Sequence, residues 1–404
     1  MIKRIVTIGA LLFVLKASAQ QNLVKYVKPL IGTEKMGHTY PGATAPFGAV
    51  QLSPETDTVS YELNGRYNGE VYKYCAGYKY EDKTITGFSH THFSGTGHSD
   101  LGDFLMMPTV GKLKLNPGTA KQPGSGYRSS FSHANETAEA GYYKVKLDSY
   151  NITAELTATN RVGMHQYTFP KSEQSHIVLD LTAGIYNYED KNTWTYVRVV
   201  NDTLITGYRQ TNGWARARTV YFAMSFSKPF KSYGSKYENQ NPVYRGFWRK
   251  FDQTKNFPEL AARQIKMYFD FDTNADEKVK VKVALSPVSQ ANALENMRLE
   301  IPNWDFDAVK KQAQNTWNKE LSKIVVNADQ DHMVNFYTAL YHCMIHPSLA
   351  SDVDGRYRGR DQKVHRVGDI AANVIRVSSA SHYKVYSVFS LWDTYRALHP
   401  LVSI

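Results

Sequence analysis

From about Tyr142 to Leu285, hydrophobic and polar positions alternate with a period of two. Tyr143, Val145 and Leu147 alternate with Lys144, Lys146 and Asp148, and Val220, Phe222, Met224 and Phe226 alternate with smaller or polar neighbours. Val279, Val281, Val283 and Leu285 alternate with lysines until Ala284 breaks the series. Successive side chains of a strand point to opposite faces, so this spacing predicts strands with one wet and one buried face, as in antiparallel sheets. Many such strands, separated by Gly, Asn and Pro turns, predict a β-sandwich, and 22–286 reads as one β-rich domain.

After Pro302 the period becomes that of a helix. Phe306, Val309, Ala313, Trp317, Leu321 and Ile324 recur at intervals of three and four, behind Asp305 and Asp307 in the first turn. Met333, Phe336, Tyr337, Leu340 and Met344 form the stripe of a second helix, which Pro347 ends. Phe336, Tyr337, Tyr341 and Trp317 read as helix core, and Cys343 as a small buried apolar residue. A third helix begins near Ser390 and runs into Pro400. The expected fold class is therefore α+β and multidomain, an antiparallel β-sandwich followed by helices.

Composition narrows the setting. The first residues, MIKRIVTIGALLFVLKASAQ, place Lys3 and Arg4 before an apolar run and Ala17-Ser18-Ala19 after it. This reads as a secretory signal over 1–19, and the expected location is secreted or periplasmic. The apolar run is too short to span a bilayer and no later segment resembles a span, so the protein is not expected to be membrane-embedded. The formal charge of +11 falls by three when Lys3, Arg4 and Lys16 leave with the signal. The remaining basic residues are scattered among acids, which argues against a nucleic-acid partner. Two cysteines, Cys75 and Cys343, do not make a disulfide scaffold.

Candidate chemistry concentrates in GFSHTHFSGTGHSDLGD, residues 87–103, with three histidines, two aspartates and four glycines. Glycines let the backbone approach a ligand closely, while His90, His92, His98, Asp100 and Asp103 offer donors, acceptors and metal ligands. A zinc site is one reading, with His90 and His92 on one strand face and His98 or Asp100 completing it. The glycine-rich loop from Gly32 to Gly48 reads either as a tight connection or as a ligand contact. Around Asp352, Asp354 and Asp361 in SDVDGRYRGRD the glycine and terminal glutamate that an EF-hand demands are absent from their required places, so the segment reads as an ordered surface loop. Arg358 and Asp361 are expected near a cleft. Asp393 in SLWD also fits a capping box.

Three long blocks carry a resemblance. They are YVKPLIGTEKMGHTYPGATAPFGAVQLSPET (26–56), GYKYEDKTITGFSHTHFSGTGHSDLGD (77–103), and FYTALYHCMIHPSLASDVDGRYRGRD (336–361), the last followed by YSVFSLWDTYRALHP up to Pro400. In these the chain resembles glycoside hydrolase family 92, exported calcium-dependent exo-acting α-mannosidases. The resemblance implies an N-terminal β-sandwich over 22–286, a linker with a helix over 287–330, and over 331–404 the start of a truncated (α/α)6 catalytic barrel. The active site would lie at the domain junction. It implies an inverting hydrolase of terminal mannose, with a mannose-containing glycan as partner and calcium as cofactor.

By the same resemblance the catalytic acid, the catalytic base and most calcium ligands are expected beyond Ile404, so no residue here is assigned to them. The isolated chain is expected to be inactive, with the faces of Met333, Leu340 and Met344 underburied. Trp392 would line the sugar pocket and Asp393 would accept hydrogen bonds from mannose hydroxyls, with Phe93, His98 and Asp100 at the rim. Family members often carry Leu or Trp at the position of Phe93 and Cys at that of His98, which leaves linkage preference open. A non-catalytic carbohydrate-binding β-sandwich is the competing reading, and the zinc hydrolase a third.

Overall fold

The alternating segments become strands because each can bury its apolar face against a second sheet. The computed structural model describes residues 21–95, 100–237, 258–367, 384–387 and 398–404. In chain order the strands of the two large sheets are β1 (Ala43–Thr44), β2 (Gln51–Glu55), β3 (Gly87–Ser89), β4 (Leu105–Val110), β5 (Glu136–Glu139), β6 (Tyr142–Leu147), β7 (Ile152–Ala158) and β8 (Val162–Phe169). They continue as β9 (Ser172–Asp180), β10 (Asn192–Asn201), β11 (Leu204–Thr211), β12 (Arg218–Phe226), β13 (Ser232–Tyr237), β14 (Glu259–Ala262), β15 (Ile265–Thr273) and β16 (Glu277–Ser286). Among the described residues, one sheet runs β1-β2-β3-β4-β9-β15-β13 and the other β14-β10-β11-β12-β16-β8-β7-β6-β5.

Neighbouring strands pair antiparallel, as in β8 against β16, where Val162 faces Ala284 and Phe169 faces Glu277. The core between the sheets holds Val145, Leu147, Phe222, Met224, Val279, Val281 and Val283 from one sheet and Met106, Ile177, Leu179, Phe269 and Phe271 from the other. These include the positions that the period of two selects.

The break at Ala284 has a physical cause. The outer face of the larger sheet is covered there by α1 (Gln290–Glu300), so Ala284 packs with Val162, Met164, Ala293 and Met297. Lys282 lies under the same cover and sends its ammonium to the Ile301 carbonyl (2.9 Å) and over the Trp304 ring (4.1 Å). Burial pushes this lysine down to about 8.

Helix α2 (Phe306–Leu321) buries Phe306, Val309, Ala313, Trp317 and Leu321. Asp305 caps it, accepting from the Ala308 N–H at 2.9 Å. Asp305→Ala is expected to cost about 1 kcal/mol, because the first-turn donor loses its partner; urea unfolding at neutral pH measures it, and no change would show the cap to be redundant. Gly141, with φ of +78°, lets the β5–β6 turn approach α2, since a Cβ there would stand 2.8 Å from the Ala313 Cβ.

Helix α3 (Gln330–Cys343) differs from expectation on two points. Met333, Leu340 and Met344 are buried, because Leu23, Val27 and Tyr40 of the N-terminal segment pack on them. The segment is tied down by Leu23 N–H to Asn318 Oδ1 (2.7 Å), Lys28 N–H to Thr338 Oγ1 (3.0 Å) and a Tyr26–Tyr337 ring stack. Cys343 is exposed, while Cys75 is buried, and both are free. Tyr337, Tyr341 and Trp317 are core residues, as the helical spacing predicts. The expected helix from Ser390 falls mostly outside the described residues, which include one turn at Leu398–Leu401. Among the described residues no helix is long and apolar enough to cross a membrane.

Candidate functional site

A cleft of about 690 Å³ opens where the sandwich meets the segment that follows α3. The glycine-rich loop helps to build this junction. The Phe47 N–H donates to the Met344 carbonyl (2.7 Å), the Leu349 N–H donates to the Phe47 carbonyl (2.8 Å), and the Trp317 indole donates to the Thr44 carbonyl (2.6 Å). From the sandwich side, Phe93, Asp100, Arg161, Trp214 and Arg218 line the cleft; from the other side, Ser348, Asp352 and Arg358 do so. Phe93 and Asp100 are thus both in the cleft wall, and the Phe93 ring sits 5.2 Å from that of His346. His98, Trp392 and Asp393 fall outside the described residues.

Asp100 is built into the cleft wall. Its Oδ1 accepts from the Trp214 N–H (2.8 Å) and its Oδ2 from the Ala215 N–H (2.7 Å). Gly213 permits this grip, because a Cβ there would fall 2.1 Å from Asp100 Oδ1. The carboxylate thus fixes the turn between β11 and β12 and presents Trp214, 74% exposed, at the rim.

Behind that wall lies a charged layer. Asp103 receives Arg218 Nη2 (2.7 Å), Arg209 Nη1 (3.4 Å) and the Thr91 hydroxyl (2.6 Å). Burial alone pushes the Asp103 carboxyl up, but the Arg218 and Arg209 guanidiniums prevail and hold it well below the usual carboxylate range. Lys191, fully enclosed nearby, donates to the Ile185 carbonyl, and burial pushes its ammonium well below the ordinary lysine value.

On the opposite side, Arg161 joins the sandwich to α1 and to the later segment. It donates from Nη1 to Glu300 Oε1 (2.6 Å) and from Nε to the Ser351 carbonyl (2.6 Å). Asp352 accepts from the Ser286 hydroxyl and from Asn296 Nδ2, both at 2.7 Å. Burial pushes its carboxyl up to about 6, against the pull of those bonds and of Arg161. This corrects the surface-loop expectation: Asp352 is buried because α1 supplies Asn296 beneath it. Arg358 reaches the cleft wall, held by the Pro287 carbonyl at 3.0 Å. Asp361 turns away to pair with His365 at 3.0 Å.

Among its described residues, the histidine block does not gather a zinc site. His90 and His92 are both fully buried, beyond the end of β3, and they serve separate networks. The Phe104 carbonyl only accepts, so His90 Nδ1 donates to it (2.9 Å), and His90 Nε2 then accepts from His165 Nε2 (2.9 Å). Tyr167 closes the chain by donating to His165 Nδ1 (2.8 Å). Burial drives His90 down to about 4 and His165 well below its ordinary value, consistent with two neutral rings. His92 instead donates from Nδ1 to the Gln51 carbonyl (2.7 Å), and its Nε2 lies within hydrogen-bond distance of Glu55 Oε1 (2.9 Å). Among the described residues no group of three or more His, Cys, Asp or Glu is arranged to hold a metal ion.

Sequence reasoning missed Arg161, Arg209, Arg218, Lys191 and Trp214. The signal for Trp214 was present as a tryptophan directly after Asn212-Gly213, a turn dipeptide between two alternating strands.

Comparison with known proteins identifies the family. Residues 26–286 match the glycosyl hydrolase family 92 N-terminal domain and residues 292–404 match the family 92 catalytic domain. The structure is similar to that of the family GH92 α-mannosidase BT3965 from Bacteroides thetaiotaomicron, solved with mannoimidazole, at 38% identity and a TM-score of 0.81 over 94% of this chain and 46% of that one. It is also similar to the family GH92 inverting mannosidase BT2199 of the same organism, at 25% identity and a TM-score of 0.72 over 94% of this chain and 46% of that one. A protein of Arthroderma benhamiae described as an uncharacterized secreted glycosidase is 25% identical over 85% of this chain and 44% of its own length. The chain thus spans less than half the length of each of these relatives. On the two domain matches and the 38% identity, this chain belongs to glycoside hydrolase family 92.

Proposed function

We propose that the junction cleft is the sugar-recognition half of an exported α-mannosidase that removes terminal mannose from glycans with inversion. The observation that carries this reading is the cleft itself, in which aromatic faces from Phe93 and Trp214 stand with polar side chains from both sides of the junction. Aromatic rings take the C–H faces of a sugar, while carboxylates and guanidiniums take its hydroxyls. Relatives described as a family GH92 α-mannosidase and a family GH92 inverting mannosidase support mannose as the sugar.

In this proposal Trp392, Asp393 and His98 add to the same pocket. The general acid and the base of an inverting glycosidase, two carboxyl groups about 6.5–9.5 Å apart, belong to the length of family members that this chain does not span. Calcium takes six to eight oxygen ligands. The described residues do not assemble such a set, so they do not fit the ion and no step here is routed through it.

Two measurements test the reading. Calorimetric titration with α-linked mannotriose should show binding, and Trp214→Ala should weaken it about tenfold, the loss of one stacked face. Incubation with an aryl α-mannoside should release no mannose from this chain. Binding unaffected by Trp214→Ala would remove the cleft from the proposal, and turnover would place the acid and base among these residues.

A further inference from the structure

A second cavity, of about 530 Å³, opens at one end of the smaller sheet, where β2, β4, β9 and β15 bring Glu55, Leu105, Asp180 and Lys266 together. Cross-strand pairing of Asp180 with both Leu105 and Lys266 fixes this end of the site. One wall is aromatic. The Tyr61 ring lies 5.1 Å from Tyr188, 5.3 Å from Tyr67 and 6.1 Å from Tyr186.

Asp57 also lines the cavity. Its Oδ1 accepts from the Val59 N–H (2.8 Å), and among the described residues no donor reaches Oδ2. Burial pushes this carboxyl up to about 7, against the pull of the Val59 N–H and of Arg128, and the neighbouring Glu55 adds to the rise. The floor is already balanced: Asp180 takes the Lys266 ammonium (3.0 Å) and the Tyr127 hydroxyl (2.7 Å).

The charges around the cavity select the ligand. Glu55, Asp57, Glu62 and Glu189 repel an anion, while Arg128 and Lys266 on the inner side oppose a deeply seated cation. Hydroxyls of Thr58, Ser60, Thr119 and Thr182 add groups that both donate and accept. A neutral polyhydroxyl molecule with one apolar face meets all these conditions, and the volume lies within the usual range for small-ligand sites.

We propose that this cavity is a second saccharide-binding site, separate from the junction cleft, in which Tyr61 stacks on a sugar ring and Asp57 Oδ2 accepts its hydroxyls. The choice of a saccharide rests in part on the glycan reading above. A second site on the same chain would hold a branched or repeated glycan while its terminal residue enters the cleft, raising the effective concentration there.

Calorimetric titration of the chain with mannotriose, and in parallel with chitotriose, tests it. Two binding events are expected for mannotriose. Tyr61→Ala should weaken the cavity event about tenfold and Asp57→Asn, which keeps the shape, about fivefold; neither should alter the event sensitive to Trp214→Ala. Thermal melts report whether Tyr61→Ala disturbs its tyrosine neighbours, and Asp57→Asn supplies the answer if it does. A single event that ignores both variants overturns this site and leaves the junction reading intact. An event sensitive to both variants with no event sensitive to Trp214→Ala keeps this site and removes the junction reading. Chitotriose binding here, without mannotriose, keeps the site and removes mannose as its sugar.

Discussion

Asp103→Ala is expected to lower the unfolding free energy by about 3–5 kcal/mol at neutral pH, the range for removing one partner of a buried ion pair. The Asp103 and Arg209 side chains are fully buried and that of Arg218 is 21% exposed. Among the described residues, Arg209 without the carboxylate would keep only Asn192 Oδ1 (2.7 Å) and the Gly102 carbonyl (3.2 Å), and its Nη2 has no partner there.

The pH dependence has a fixed sign. Arg218 and Arg209 depress the carboxyl below its ordinary 3.8, so its stabilisation is full above that value and is lost as pH falls toward the folded value. The gap between variant and wild type should therefore be about 1 kcal/mol smaller at pH 3 than at pH 7. Urea unfolding at both pH values measures it. A variant within about 1 kcal/mol of wild type at pH 7 would mean that water or movement of the arginines replaces the carboxylate.

The parts legible in the sequence were those governed by short-range periodicity. Alternation at Tyr143, Val145 and Leu147, and again from Val279 to Leu285, marks strand faces because a two-sheet core accepts every second side chain. The stripe from Phe306 to Leu321 marks α2 for the same reason at a helical period. Helix α1 escaped because its buried face includes Asn292 and Asn296. Asn296 bonds to the Leu285 carbonyl and to Asp352, and Asn292 bonds to Asp354, so polar side chains do there what apolar ones do in α2. A hydrophobic period is silent on such a face.

Which residues meet at the cleft was legible only in part. Phe93 and Asp100 do reach the cleft, yet the composition of 87–103 could not tell a ligand-facing histidine from an enclosed one. His90 and His92 are consumed by partners from distant strands, His165 and Glu55, and only the folded sheets bring these together. The cover over Met333, Leu340 and Met344 was hidden likewise, since it comes from Leu23 and Val27, roughly three hundred residues earlier in the chain.

Trp317→Ala should have an effect of similar size, about 3–5 kcal/mol, the range for truncating a buried aromatic side chain to alanine. Trp317 is fully buried, packs 4.4 Å from the Tyr341 ring, and donates its indole N–H to the Thr44 carbonyl in β1. One side chain therefore ties α2 both to α3 and to the first strand of the sandwich. The consequence should reach the cleft, because the strand-like contact of Phe47 with Met344 and Leu349 lies just past that strand and positions Ser348. Trp317→Phe separates the causes: it keeps most of the ring and loses the donor, and should cost about 1–3 kcal/mol, the desolvation left by an unpaired carbonyl and a smaller void. Mannotriose affinity should fall in Trp317→Ala even at temperatures where the sandwich stays folded, since the far wall of the cleft would no longer be held. An alanine variant with unchanged melting and unchanged mannotriose binding would show that the helices are anchored elsewhere, with Glu300 and Arg161 as the next groups to test.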